Sequence, residues 1–280
     1  MTILVPTDFS KHSKTAALYA ARLAKKIGAE LVLLNVVYGQ ASSRAMMVTP
    51  KLEAEMKKIA NNELDRLVQG IKTEIKGKLD ISVRLLTGFP VTNVVQRFLR
   101  QAKVDLVIMG TQGATGLQKV FIGSNAAAMI QDAVVPVVIV PQNAAFKSLK
   151  KIVYATDLDN MENELSAVCQ FAKPFNATID VVHVAAEDAP TKFDLKQMKS
   201  ELARKMKYEK ISFHLSKNDD VAEAIDRFII AKKADMLVMF THKLNFFEKL
   251  FSRSVTRKLA FHSYVPMLTF NKANLAGKKK

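Results

Sequence analysis

A single cysteine, Cys169, stands in the 280 residues, so no disulfide can form within the chain, and a reducing compartment is expected. No apolar run reaches the roughly 18–20 residues that a bilayer-crossing helix needs. The opening, "MTILVPTDFS", has no basic stretch leading into a long apolar segment. A secretory signal is therefore not expected, and a cytoplasmic location is. Catalytic signatures are missing too. There is no "GK[ST]" of a P-loop nucleotidase and no Gly-x-Ser-x-Gly nucleophile elbow. The histidines, His12, His183, His214, His242 and His262, show no zinc-ligand spacing. No metal site and no catalytic residue is assigned on these grounds. Asp8, a lone carboxylate with no partner base in the sequence pattern, makes a poor case for fast hydrolysis, so slow hydrolysis is the most that an enzyme reading allows.

Acidic residues are also short. Lys and Arg number 42 against 26 Asp and Glu, a net charge of +16. The imbalance is diffuse: 19 to 10 over residues 1–148 and 23 to 16 beyond. Only the end, "KANLAGKKK", is a basic run. Such a surface favours anionic partners in general, nucleotides, acidic proteins and nucleic acid among them. No Cys/His finger or aromatic RNA-binding pattern singles out nucleic acid, and a solvated basic surface is the plainer reading.

What is present is a repeat. "ILVPTDFS" from Ile3 is echoed by "IVYATDLD" from Ile152, so that Asp157 answers Asp8 at an offset of 149. "AELVLLNVV" from Ala29 is echoed by "ATIDVVHVA" from Ala177. "SVRLLTGFPVTNVVQRFLRQAKVDLVIMG" from Ser82 matches "SFHLSKNDDVAEAIDRFIIAKKADMLVMF" from Ser212 at an offset of 130, and Pro136 matches Pro266 at the same offset. The offset shrinks because the first half carries the longer insert, about residues 38–80 against 185–210. The short polar connection at 141–150 separates two domains, residues 1–142 and 150–272, with a basic tail at 273–280.

Each half alternates apolar strands with helices. In the first, strands are expected at 3–6, 31–37 (wholly apolar), 81–86, 106–109 and 137–140. Ser10 is a plausible N-cap for a helix running to Gly28, a good residue just past a helix end. Thr49 and Pro50 offer a cap and a first-turn proline for a second helix, whose apolar face would be Leu52, Met56, Ile59, Leu64, Leu67, Ile71 and Ile75. Helices are also expected at 91–102 and after Gly123. Continuous apolar strands between helices imply a parallel sheet covered on both faces. Cys169 shares helical spacing with Leu165, Val168 and Ala172, which points to a buried face, a reactive thiol being the alternative.

Ligands of such sheets bind beyond the carboxyl ends of the strands. Asp8 follows the first strand and Gly110 the fourth. From Gly110 the chain reads "GTQGATGLQKVFIGS". Gly110 leaves room above the sheet, and Gly113 lets backbone approach a ligand. Gly123 and Ser124 open a helix whose free amides and dipole favour phosphate. Ser124 can cap that helix or donate to phosphate, and Lys119 could add charge. An ordinary strand–helix connection with turn glycines is the competing reading. The full spacing, with an Asp at the end of the first strand, favours nucleotide.

Together, "VPTDFS", "VDLVIMGTQGATG", the Gly-x2-Gly-x9-Gly-Ser spacing and the closing "VPVVIVP" resemble the universal stress protein family, over nearly all of both halves. The glycine signature resembles that of the ATP-binding branch. The resemblance implies an α/β fold of two tandem Rossmann-like domains of the adenine nucleotide alpha hydrolase-like type. Each would be a five-stranded parallel sheet of order 3-2-1-4-5, and the two would pair through their last strands, 137–140 against 266–270. It implies ATP, with magnesium, in the first domain. The base would lie near Val36 and near Pro6, Thr7 and Asp8, and the phosphates along Met109, Gly110, Gly113, Gly123, Ser124 and Asn125. It also implies a regulator in stress survival and signalling, with an unnamed protein partner and a homodimer as a further possibility.

The second half departs from that pattern. Phe240 stands at Gly110's place, Lys243 at Gly113's and Arg253 at Gly123's, and only Ser254 keeps the serine. No ATP is expected there in the same pose. Phe240, Phe246, Phe247 and Phe251 read as core or inter-domain packing, with an apolar ligand groove as the alternative, and Lys243, Lys249, Arg253 and Arg257 leave room for an amphipathic ligand. Three functions follow for the whole chain: an ATP-responsive regulator, a protein-interaction scaffold in which nucleotide is incidental, and a nucleic-acid-associated basic protein whose binding would weaken steeply with salt.

Overall fold

The structure, a computed structural model, describes residues 1–37, 50–111, 122–189, 195–241 and 264–271. Backbone contacts divide the chain into two compact units, Met1–Phe146 and Lys147–Lys280.

In the first unit, β1 (Thr2–Pro6), β2 (Glu30–Val37), β3 (Ile81–Thr87), β4 (Leu106–Gly110) and β5 (Val137–Val140) alternate with α1 (Lys11–Ile27), α2 (Pro50–Glu74), α3 (Val91–Gln101) and α4 (Ser124–Asp132). The sheet is wholly parallel, in the order β3-β2-β1-β4-β5. Its central strands are buried throughout their middles, Ile3, Leu4, Val5, Leu31, Leu33, Val107 and Ile108 among them. That is why they read as continuous apolar runs: helices cover both faces, so neither face needs polar side chains.

Helix ends follow local chemistry. The Ser10 hydroxyl accepts from the Ser13 amide at 3.3 Å and caps α1. Gly28, at φ 68°, takes the left-handed conformation that closes it. The apolar face expected for α2 holds at Leu64, Leu67, Ile71 and Ile75, which are buried, whereas Leu52 and Ile59 are exposed. Angular position explains the difference: Ala60, Leu64, Leu67 and Ile71 form one buried stripe, and at 3.6 residues per turn Leu52 and Ile59 stand about 80–100° around the helix from Ala60, on the flank of that stripe. Thr49, the expected cap of this helix, lies outside the described residues.

The second unit repeats the scheme with β6 (Lys151–Thr156), β7 (Thr178–Ala185), β8 (Ile211–Lys217), β9 (Met236–Thr241) and β10 (Met267–Asn271), and with α5 (Met161–Ala172), α6 (Leu195–Met206) and α7 (Val221–Lys232). A single 3-10 turn, Lys173–Phe175, extends α5. The order β8-β7-β6-β9-β10, again all parallel, is 3-2-1-4-5 when this unit's strands are counted from one. Cys169 lies on the buried face of α5 with Leu165, Val168 and Ala172, and burial pushes its thiol up to about 11. A reactive thiol does not fit that setting, because the thiolate is the reacting form.

Candidate nucleotide site at the carboxyl edge of the first sheet

The edge begins where β1 ends. Thr7 is buried, and its hydroxyl accepts from the Phe9 amide at 3.1 Å and donates to Ser13 Oγ at 3.0 Å. The Ser13 hydroxyl donates onward to the Ser10 carbonyl at 3.1 Å. Asp8 accepts from the Ser10 amide at 3.1 Å, an Asx turn that brings the chain into α1. Phe9, between them, is left-handed at φ 64°. The second unit builds the same turn. Thr156 accepts from the Leu158 amide at 3.0 Å, Asp157 from the Asp159 amide at 3.0 Å, and Leu158 has φ 72°. The shared Thr-Asp pair thus has a turn-forming role in both halves, whatever binds nearby.

A residue that the sequence reading passed over fixes this turn from the side. Asn35 stands in the strand taken as wholly apolar. It is buried, and its side-chain amide donates to the Thr7 carbonyl at 2.8 Å. In the second unit His183 takes its place, with Nδ1 at 2.9 Å from the Thr156 carbonyl. A carbonyl only accepts, so Nδ1 carries the proton and the tautomer is set. The one polar residue in "LVLLNVV" was the available signal: a buried polar side chain needs a partner.

Gly110 closes β4. Its φ is outside the left-handed region, so its freedom of backbone rotation is not what the site uses. What it supplies is space. A Cβ there would lie 2.9 Å from both the C and O atoms of His12, in the first turn of α1. Without one, α1 settles against β4 as well as β1, β2 and β5. Thr111 continues the path, and its carbonyl accepts from the Gly123 amide at 2.7 Å. The two ends of the glycine-rich segment therefore meet at its base. Gly113 and Lys119 lie outside the described residues.

Gly123 is the N-cap of α4, with φ −67° and ψ 158°, and no side chain caps the helix. Ser124 is therefore the first helical residue, and the capping role open to it is filled by glycine. Ser124 and Asn125 are exposed. The helix's own bonding starts with the Ala127 amide to the Gly123 carbonyl at 3.0 Å, so the amides ahead of it have no acceptor within the helix. Met109 is buried in β4, while Pro6 and Val36 are half-buried at the ends of β1 and β2. The described candidate residues thus share one sheet edge: Val36 on β2, Pro6 at the end of β1 with Thr7 and Asp8 after it, Met109 and Gly110 on β4, and Gly123 to Asn125 at the start of α4. Among the described residues, no group of three or more His, Cys, Asp and Glu side chains could hold a metal. No described helix is long and apolar enough to cross a membrane.

At Gly110's counterpart, Phe240 is buried. Its ring stacks on Phe270 at 4.9 Å between centroids and meets Tyr154 edge-on at 5.5 Å. The Tyr154 hydroxyl donates to Glu164, a carboxylate 1% exposed on α5, and lies 3.1 Å from the Thr156 hydroxyl. Burial, with the Glu164 charge beside it, drives the Tyr154 phenol well above its usual value. The second unit thus fills with rings and a buried polar pair the space that the first leaves to helix backbone, and α5 packs on β6 and β7. Packing, one of the two readings given to Phe240, is what the structure shows. Phe246, Phe247, Phe251, Lys243, Lys249, Arg253, Ser254 and Arg257 lie outside the described residues.

Comparison with known proteins agrees with this picture. A universal stress protein from Methanocaldococcus jannaschii is 31% identical over 145 residues, 49% of this chain and 80% of that protein. A putative universal stress protein from Staphylococcus aureus is 24% identical over 140 residues, 49% of this chain and 82% of its own. The crystal structure of a universal stress protein from Archaeoglobus fulgidus superposes with a TM-score of 0.73 at 21% identity, over 96% of both chains, and shows the same fold. The model of the universal stress protein family matches twice, at residues 1–141 and 148–271. With two such matches in tandem, the chain belongs to the universal stress protein family.

Proposed function

We propose that this protein is a nucleotide-responsive regulator that binds one ATP, with magnesium, at the carboxyl edge of the first sheet. The reading is carried by the uncapped start of α4, where glycine occupies the cap position and brings no side chain into the space before the helix. Phosphate oxygens suit that place, because amides without an acceptor inside the helix and the positive end of the helix dipole converge there. Pinning of Gly123 to Thr111 holds the helix start beside the end of β4. The base and ribose would lie toward Val36 and the Pro6–Thr7–Asp8 turn. The second unit supports an asymmetric reading, since Phe240 packs where Gly110 leaves room. Occupancy of the first unit would then alter how the chain engages a partner.

Titration of nucleotide-stripped protein with Mg-ATP by calorimetry tests this, beside Gly123→Arg, which copies the second unit. Gly123 has φ −67°, so arginine is allowed there without backbone strain. One site per chain, lost in the variant, is expected. Two sites, or binding that survives the substitution, would overturn the asymmetric assignment, and no binding to either protein would overturn the nucleotide reading itself.

A further inference from the structure

The connection between the units reads as a short polar linker, yet its first part is packed. Pro141, Ala144 and Phe146 are buried, and the Ala144 amide donates to the Pro141 carbonyl at 3.0 Å in a turn. Beyond that turn the Phe146 ring meets the Tyr19 ring edge-on, with 5.3 Å between centroids. Tyr19 is itself buried on α1. The Thr15 hydroxyl, which donates to the Lys11 carbonyl at 3.1 Å, lies 3.5 Å from the Gln142 carbonyl. An edge-on pair is a preferred aromatic geometry, and a free linker makes no such contact. Phe146 is thus the last residue of the first unit rather than part of a spacer.

These contacts lie in line along one helix. His12, Thr15 and Tyr19 follow at one-turn intervals and share a face of α1. At the start of α1 the backbone of His12 lies against Gly110, where a Cβ would be 2.9 Å from its C and O atoms. The Thr7–Ser13–Ser10 hydrogen bonds tie the same turn to the end of β1. The beginning of α1 therefore rests on the carboxyl edge of the first sheet, and further along the helix holds the connection. The far end of the connection is fixed as well. The Lys150 and Lys151 amides both donate to Asp235 Oδ2 of the second unit, at 2.7 and 2.9 Å. Residues 147–149 alone lie between Phe146 and that anchorage.

We propose that α1 and Phe146 form a coupling device, in which the position of the first turn of α1, set at the carboxyl edge, is read out in the connection between the units. Coupling of this kind is carried by contiguous packed side chains and hydrogen bonds. Here the contacts run without a gap from Gly110 to His12, along α1 to Tyr19, and from Tyr19 to Phe146. With so little slack before Lys150, a turn that lifts either draws Phe146 with it or breaks the ring contact. The inference goes beyond the nucleotide reading and stands without it, since anything that moves the first turn, a bound group or a substitution, has the same effect.

Hydrogen exchange resolved by peptide on the full chain tests this. Gly110→Ala crowds His12, and Ser13→Ala removes the hydroxyl that links Thr7 to Ser10, so two unlike substitutions loosen the same turn. Each is expected to speed exchange in the first turns of α1 and, with it, at the Ala144 amide and residues 147–149. Phe146→Leu keeps an apolar side chain and removes the edge-on contact. Loss of such a pair should speed Ala144 exchange by about 2- to 12-fold. Adding Gly110→Ala to Phe146→Leu should still loosen α1, yet leave Ala144 no faster than in Phe146→Leu alone. Ala144 exchange that is unaltered while α1 loosens would overturn the proposal, and so would effects of Gly110→Ala and Phe146→Leu that simply add. A first turn that neither Gly110→Ala nor Ser13→Ala loosens would overturn it too, by removing the moving part.

Discussion

Replacing Gly110 with alanine adds one methyl group where the backbone of α1 leaves no room for it. That carbon would lie 2.9 Å from His12 C and O and 3.1 Å from its Cβ, where carbon contacts normally sit at about 3.5–4.0 Å. The obstructing atoms are backbone, so relief requires the first turn of α1 to lift by roughly half an ångström. Overpacking of this kind costs about 1–3 kcal/mol. Loss of glycine's freedom in the unfolded chain returns about 0.4–1 kcal/mol, since the native φ suits alanine. A net loss of about 0.5–2 kcal/mol is expected, a fall of a few degrees in melting temperature. Because the chain has two units, hydrogen exchange resolved by peptide is the sharper assay. Amides of α1 should exchange faster, and those of α5 should not change. The Thr7–Ser13–Ser10 hydrogen bonds span the turn that would move, so ATP affinity should fall as well. A variant as stable as the parent, with α1 exchange unaltered, would refute the reasoning and return Gly110 to an ordinary turn glycine.

Truncating its counterpart, Phe240→Ala, should cost about 3–5 kcal/mol through a cavity beside Tyr154 and Phe270, read by denaturant unfolding and by exchange in the second unit alone. Asn35→Ala leaves the buried Thr7 carbonyl without its side-chain donor and should cost about 1–3 kcal/mol, whereas the isosteric Asn35→Asp should fare no better, since a carboxylate cannot donate. Cys169 should react with a thiol reagent only after denaturation. Because its pKa is raised by folding, from 9.0 to about 11, the folded state holds the proton longer than the unfolded one. The Cys169 contribution is therefore intact below pH 9 and declines as pH rises toward 11, which a pH series of unfolding midpoints with Cys169→Ala as reference would show.

Sequence alone carried the architecture a long way. Two parallel five-stranded sheets were legible because strands covered on both faces must be apolar throughout, and because the repeat showed each half twice. Ser10 and Gly28 announced the ends of α1, since a cap hydroxyl and a left-handed residue are local requirements that need no tertiary context. Leu52 and Ile59 misled, because apolar residues at roughly helical spacing can still fall on the flank of the narrower stripe that packing buries. The glycine segment was visible as a pattern, but the job of Gly110 was not. Its glycine is required by the backbone of α1, a hundred residues earlier in the chain, and sequence spacing holds no such distance. Asn35 and His183, aligned by the repeat but unlike in type, show a common role only when each is seen donating to the carbonyl of the threonine in its own unit's turn. Asp8 and Asp157 likewise show their turn-forming role only through the amides that they accept. Phe240 could be read as bulk in the wrong place, but not as a ring stacked on Phe270 and met edge-on by Tyr154. Local chemistry is written residue by residue, whereas the fit between elements depends on which backbones the fold brings together.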